Sequence, residues 1–579
     1  MDSQRSWQSL GLRCHRRGRC LLILILILLA RPLLATTYYV DNCVTVGSDS
    51  NNGTSTSTPW LTIAHVNAQS FIPGDLVLFQ STCEWHEQLT VPSSGSSGTP
   101  ITFGSYGTGA APIISGANLL TSWPTSGSYY YASVSTQPHQ VFRDGSRLTQ
   151  VSSEGSLATG DWWWDSGTSN VYVYDNPSGH TIEASQRAAG IQTSTGVQYV
   201  TITGLHTTKA NQFGITLGGS YATVNGVTAD YNNVNGINSW TSGSNIITGL
   251  TIEKSTVEHN GGSGIHYGHN TYDLIQGNTV DNNCWDPLQG SCRGIDGGAP
   301  DTNNITVTGN SVYDNGSVSA GSYGTGIACD TCGNGIVFTY NSVWGNNGYG
   351  LDIDADNNVT ASYNVSYNNL NAGIAAFADA NSSMTGIQIY NNTVYGNTSN
   401  GIWVEGPSAG SGPAGCTNNI IRNNIVVGTV GGPNLAAYNG CENPGTNGSG
   451  NVYTYNSFGA QTSNFIQWGT STYESTYSAW ETAKGNCGSS GCSHSIQTAP
   501  TFTNAGADNF TLASGSSAID AGTNLSTTYQ WGLAPSSSWP ASVSTLDQNS
   551  YGTGWEIGAF VFVQHLPPAP PTNLSATVK

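Results

Sequence analysis

Between residues 196 and 430, apolar positions come in short β-branched runs that alternate with polar ones and break at Gly, Asn and Asp. One recurring mark is an asparagine ahead of a short apolar stretch, at Asn278, Asn310, Asn341, Asn364, Asn392 and Asn424, spaced 32, 31, 23, 28 and 32 residues apart. A second is Gly followed by Ile or Leu, at Gly214, Gly236, Gly264, Gly294, Gly326, Gly350, Gly373 and Gly401. Such alternation predicts strands joined by turns, and no helix-length stripe of period 3.6 interrupts it. Self-similarity at this spacing predicts a solenoid. Three short strands per coil of about 22 to 24 residues give an all-β fold, a right-handed parallel β-helix, with loops absorbing the longer spacings. Equivalent positions of successive coils then stack about 4.8 Å apart. The six asparagines are expected to form an internal ladder whose amides bond one another and the turn backbone, a structural role.

The same stacking predicts where chemistry sits. Residues two apart in a strand share a face, so an inward Ile or Leu after each marker Gly turns the next residue outward. The first outward column reads Thr216, Asn238, His266, Asp296, Ala328, Asp352, Ala375, Trp403, and the second Gly218, Trp240, Gly268, Gly298, Asp330, Asp354, Phe377, Glu405. Both concentrate acids in the middle coils. His266, Asp296, Asp330, Asp352 and Asp354 are therefore expected to form one catalytic patch. Arg293 and His269 border it, Trp240 and Phe377 flank it, and Trp403 and Glu405 lie farther along as substrate contacts. A loop ahead of Asp296 or Asp330 that shifted the register by one residue would turn either away.

Composition places this solenoid in a watery, oxidising setting. Charged residues are 8% of the 579, aromatics 10%, and Gly numbers 73, which is an ordered, turn-rich protein and not a disordered one. Residues 1–35 hold six Arg and one Asp, leaving 9 basic against 33 acidic residues beyond them, a formal −24. That charge offers nucleic acid no basic patch. Arg13 to Arg19, the apolar run Leu21 to Leu29 and the small-residue exit ending at Ala35 predict a secretory signal over 1–35, with an uncleaved anchor as the alternative. The ten cysteines beyond it pair by proximity as Cys284/Cys292, Cys329/Cys332, Cys416/Cys441 and Cys487/Cys492, which leaves Cys43/Cys83. Secretion, a monomeric state and no membrane contact after signal cleavage are the expectations.

Tyr38-Tyr39-Val40-Asp41, Pro59-Trp60-Leu61-Thr62-Ile63, Ile72 to Phe79, Pro100 to Phe103 and Ile113 to Gly116 resemble the opening of secreted bacterial right-handed β-helix proteins of the pectin-lyase-like, carbohydrate-active class. The resemblance implies that residues 36–117 supply an N-terminal cap and the first coils. Residues 118–187, with Trp162-Trp163-Trp164-Asp165 and Asn170 to Tyr174, resemble the small β insertion of such proteins, its aromatics serving as core or stacking on sugar. The coils occupy 188–440. Over 441–565 the Ala518 to Gly522 and Glu556 to Phe560 segments resemble closing strands that cover the open end of the stack. Residues 566–579 are expected to be a proline-rich linker followed by a segment, Thr572 to Lys579, that resembles the first strand of a truncated fibronectin type III module.

Three functions fit this plan. Glycoside hydrolysis needs two carboxylates, one protonated and one ionised, and requires no cofactor. Asp352 and Asp354 would lie about 7 Å apart and Asp296 and Asp352 about 9.6 Å apart, in or near the spacing of inverting enzymes. The resemblance also implies a calcium-dependent, pectate-type polysaccharide lyase, with Ca²⁺ held by Asp296, Asp330, Asp352 and Asp354. The third reading is a non-catalytic carbohydrate-binding or adhesion protein, since Asp is common at coil turns. In each, the partner is a poly- or oligosaccharide.

Overall fold

The computed structural model describes residues 34–241, 243, 245–290, 292–317, 321, 323–354, 356–378, 382–406, 415–442, 448–469, 472–484 and 494–564. Residues 1–33 of the expected signal segment, the Cys487/Cys492 pair and the 566–579 tail lie outside the described residues.

Three long sheets run the length of the molecule, one strand from each per coil. The first has 13 strands, from Thr37–Val40 to Val452–Thr454; the second has 11, from Glu84–Trp85 to Ile425–Val427; the third has 13, from Leu89–Val91 to Thr472–Glu474. Pairing along the stack is parallel, because each chain passage returns one coil later in the same direction, and only the last strand of the third sheet is antiparallel. Such a chain winds right-handed. The chain is therefore a right-handed parallel β-helix, and the three sheets enclose one continuous core.

That core is built from ladders of like residues. In the third sheet Ile215, Ile237, Ile265, Ile295, Ile327, Leu351, Ile374 and Ile402 stack in register, each with no exposed surface. Full burial of such a side chain stabilises by about 1.5–3 kcal/mol. At the turn between the first two sheets the predicted asparagine ladder is present. Each amide nitrogen donates to the next coil's Oδ1, as from Asn278 to Asn310, Asn310 to Asn341 and Asn341 to Asn364, all at 3.0 Å. A second ladder, Asn232, Asn260, Asn283, Asn315, Asn346, Asn369 and Asn397, does the same at the next turn.

Both ends are closed. Helix α1 (Ile63–Asn67) buries Ile63 and Val66 beneath the first coils, with Trp60 and Phe71 beside it. At the far end helix α2 (Tyr477–Lys484) puts Tyr477 and Trp480 against Phe458, Phe465 and Trp468. The C-terminal segments differ from expectation: Ala518 to Gly522 and Glu556 to Phe560 do not cover the open end. They run along the outer flank of the last coils of the second sheet, where Ala559 N donates to Thr393 Oγ1 and Gly558 N to the Asn423 carbonyl. Ala559 and Phe560, together with Leu533, join Val365, Tyr367 and Phe510 in a separate side cluster.

The insertion folds as an antiparallel sheet of four strands and a mixed one of five, around its own core of Val141, Trp162, Val171, Val173 and Ile182. Trp162 thus belongs to that core, while Trp163 packs on Tyr172.

Candidate active site

The third sheet carries the acids. Its strands here are β1 (Ile237–Trp240), β2 (Ile265–Gly268), β3 (Arg293–Gly298), β4 (Thr325–Asp330), β5 (Leu351–Asp354), β6 (Ile374–Phe377) and β7 (Ile402–Gly406). Pairing runs Asn238, His266, Asp296, Ala328, Asp352, Ala375, Trp403 in one column. It runs Trp240, Gly268, Gly298, Asp330, Asp354, Phe377, Glu405 in the other. The loops before Asp296 and Asp330 do not shift the register, and the five residues of the acidic patch share one wall. Gly218 falls outside the paired stretch, which for its strand ends at Thr216 and Asn238.

The wall is not the open surface that alternation implies. Asp296 is 7% exposed and Asp352 3%, so the first column forms a buried floor. The second column forms a more open rim, where Asp330 keeps 40% side-chain exposure and Trp240 is 42% exposed.

Arg293, expected only at the border, is the hub. Its Nη1 donates to Asp296 Oδ1 at 3.1 Å and its Nη2 to Asp330 Oδ2 at 3.0 Å. Burial opposes the charge on its guanidinium, but Asp296, Asp352 and Asp330 outweigh it and raise its pKa well above the ordinary value. Ser263 Oγ donates to the other Asp296 oxygen at 2.9 Å. His266 Nδ1 lies 3.0 Å from Asn238 Oδ1 and 3.1 Å from Asn235 Nδ2, and its Nε2 is 3.8 Å from Asp296 Oδ2. Burial lowers the His266 pKa, with Asp296 opposing and Arg293 assisting, so the ring is neutral at pH 7. Trp240 stacks on it, centroids 4.8 Å apart.

Asp352 differs from its neighbours. Burial pushes its carboxyl up to about 8; Arg293 pulls it down, and Asp354, Asp330 and Asp296 push it further up. Its Oδ1 is buried without a hydrogen-bond partner. At neutral pH it is a protonated acid beside two carboxylates paired to arginine. Behind the wall Asp356 is fully buried with its ligand oxygens close to Cys329 and Cys332, and burial raises its pKa strongly as well. Those cysteines form a disulfide around Asp330, as do Cys43/Cys83, Cys284/Cys292 and Cys416/Cys441.

Beyond Asp352 the wall becomes aromatic. Phe377 and Trp403 stack with centroids 5.6 Å apart, and Tyr349 packs on both. Tyr323 meets Tyr349 edge-on, and burial raises the pKa of both phenols. Glu405 neighbours Tyr438 of the next strand, whose phenol burial and then Glu405 push up to about 12. His269 is engaged elsewhere: its Nδ1 pairs with Asp301 at 2.7 Å while its ring meets the edge of Trp240. Ser263, Asn235, Tyr323 and Tyr349 are site residues that the strand columns do not reach. Asn235 carried a signal, being one position ahead of the marker Gly236.

The four aspartates proposed for calcium do not form a ready cage. Among the described residues, the groups of three or more ligand atoms within 4.8 Å of one another lie elsewhere, and Arg293 already occupies the space between Asp296 and Asp330.

A profile of the right handed beta helix region matches residues 248–426. The lacto-N-biosidase of Bifidobacterium longum subsp. longum is 38% identical over 76 residues, which is 12% of this chain. That match spans 5% of the relative's own length. Among solved structures, the complex of XylC with xylose superposes with a TM-score of 0.57 at 13% identity, covering 73% of this chain and 83% of that one. Pectate lyase Pel9A covers 91% of this chain and 97% of its own at 17% identity, with a TM-score of 0.36. The XylC likeness shows the shared fold.

Proposed function

We propose that the protein is a glycoside hydrolase acting outside the cytoplasm on a poly- or oligosaccharide, with Asp352 as general acid and Asp296 as general base. The observation that carries this reading is the contrast along one column: Asp352 is held protonated by burial while Asp296, two strands away, is ion-paired to Arg293. Hydrolysis asks two carboxyl groups for opposite protonation states at one pH. Two strand spacings put them about 9.6 Å apart, which leaves room for a water and favours inversion. Asp352 gives its proton to the leaving oxygen as the anomeric C–O bond breaks. Asp296 takes a proton from the water that forms the new bond on the opposite face. Arg293 holds Asp296 in place, Asp330 and Asp354 set the rim, and Trp240 on one side with Phe377 and Trp403 on the other offer faces for sugar rings.

Calcium-dependent elimination is the weaker reading. A cation bound by these aspartates would have to displace Arg293, which already neutralises two of them. Four disulfides favour an oxidising compartment, and among the described residues no helix is long and apolar enough to cross a membrane. Digestion of a glycan panel tests the proposal. New reducing ends, unaffected by chelator and lost in Asp352→Asn and Asp296→Asn, are the expected result. Products absorbing in the ultraviolet as unsaturated uronates, restored by Ca²⁺ after chelation, would replace hydrolysis with elimination.

A further inference from the structure

We propose that the cleft between the insertion and the disulfide-closed loop 284–292 is a second saccharide site, taking a neutral pyranose unit of a chain that continues onto the acidic wall. That the two sites share one chain rests on the hydrolase reading; that the cleft binds sugar does not.

The cleft measures about 800 Å³ and is walled by residues distant in sequence, Gln137 to Gln140 and Arg147 to Ser152 on one side, Asn233 and Trp285 to Gln289 on the other. Its chemistry is that of a sugar site. Trp285 and Leu288 supply apolar surface, Leu288 being 90% exposed. Gln137, Gln150, Asn233 and Gln289 carry amides, which both donate and accept and so match vicinal hydroxyls.

Arg147 is rigidly pre-set. Its guanidinium lies 3.6 Å over the Trp285 ring, its Nε donates to Gln140 Oε1 at 2.9 Å, and its Nη2 donates to the His259 carbonyl at 3.3 Å. Gln140, 1% exposed, is itself fixed by donating to the Tyr231 carbonyl. Among the described residues Arg147 has no carboxylate within ion-pair distance, and no hydrogen bond from Nη1 is seen. Trp285 Nε1 is also an unpartnered donor. A buried donor without a partner beside an arginine without an ion-pair partner suits acceptor oxygens. The formal charge of −19 disfavours polyanions, which leaves hydroxyl oxygens. The carboxylate of Asp286, which could repel such a ligand least, is spent on Leu288 N and Gln289 Nε2.

Position links the cleft to the wall. Asn233 lines it, and Asn235, about 7 Å along the same turn, contacts His266. The loop itself ends at Cys292, immediately before Arg293.

The test is calorimetric titration with xylo-, cello-, manno-, malto- and chitohexaose and the matching disaccharides. The protein is Asp296→Asn, with and without Leu288→Ala plus Gln289→Ala; both residues are surface-placed, so the fold survives. A hexasaccharide that binds should lose roughly tenfold in affinity in the cleft variant, with its disaccharide unchanged. Hexasaccharide affinity that does not move overturns the cleft and spares the hydrolase reading. Equal loss for the disaccharide overturns it too, since the effect would then lie at the wall. Absence of binding by every saccharide overturns both.

Discussion

Replacing Asp352 by asparagine should abolish turnover and yet stabilise the protein, by an amount that grows with pH. Asp352 has a folded pKa of about 8 against an ordinary 3.8. Between those values the folded state holds a proton that the unfolded state has released, so stability falls as pH rises, at about 1.4 kcal/mol per pH unit. Below pH 4 the group is neutral in both states and contributes nothing. Above pH 8 it is charged in both, and the full penalty, 1.36 kcal/mol per pH unit over the 8 − 3.8 = 4.2 between the two values, reaches about 6 kcal/mol. Asparagine occupies the same volume without a charge to desolvate. Glu556 and Asp273, also raised by burial to about 8 and about 7, titrate in both proteins and cancel in the difference. Urea denaturation of wild type and variant from pH 4 to 9 measures it. The variant's advantage should open between pH 4 and 8 and then level off. Parallel curves over that range would show that Asp352 is not held neutral, and with that the assignment of the acid would fail.

Other consequences follow from the same geometry. The pH–rate profile should fall on the alkaline side as Asp352 ionises near pH 8; a profile flat to pH 9.5 would exclude it as the acid. Asn341→Ala removes an amide that links Asn310 and Asn364 and is fully buried, and should cost about 3 kcal/mol or more by unfolding, since partners on both coils lose their bonds. Arg293→Ala leaves Asp296 and Asp330 without their shared cation and should cost about 3–5 kcal/mol along with activity, whereas Arg293→Lys recovers part of the stability and little of the rate. In Gly268→Ala the new Cβ would sit 2.3 Å from the Trp240 ring, so the indole must move off His266; KM should rise with the fold intact.

The sequence revealed the register because the register is local and repeated. Each marker Gly begins a strand whose next apolar residue enters the core, and a fully buried Ile or Leu at every step permits no one-residue slip. That is why Asp296 and Asp352 could be placed in one column from spacing alone. The second asparagine ladder was equally legible: Asn283, Asn315, Asn346, Asn369 and Asn397 each follow a first-ladder asparagine by five residues. Other features were hidden by the reach of side chains. Arg293 lies two residues ahead of the inward Ile295, so alternation would turn it toward the core, yet its long stem carries the guanidinium to Asp296 and to Asp330 one coil away. Tyr323 and Tyr349 cover the floor from loops, so the burial that makes Asp352 an acid could not be read from its strand. His269 finds Asp301 on the following coil. The flank-packing of Glu556 to Phe560 depends on aromatic surface gathered from many coils, which no segment displays by itself.

On the proposed reading one wall breaks glycosidic bonds, with a neutral Asp352 as acid and Asp296 as base. Time-resolved proton NMR of a glycan digest reads it most directly, by the configuration of the first anomeric signal released by wild type beside Asp352→Asn and Asp296→Asn. Release of the inverted anomer by the wild type, and of nothing by either variant, is the predicted result. Product with a retained anomer, an unsaturated uronate end, or unchanged rates in both variants would contradict it.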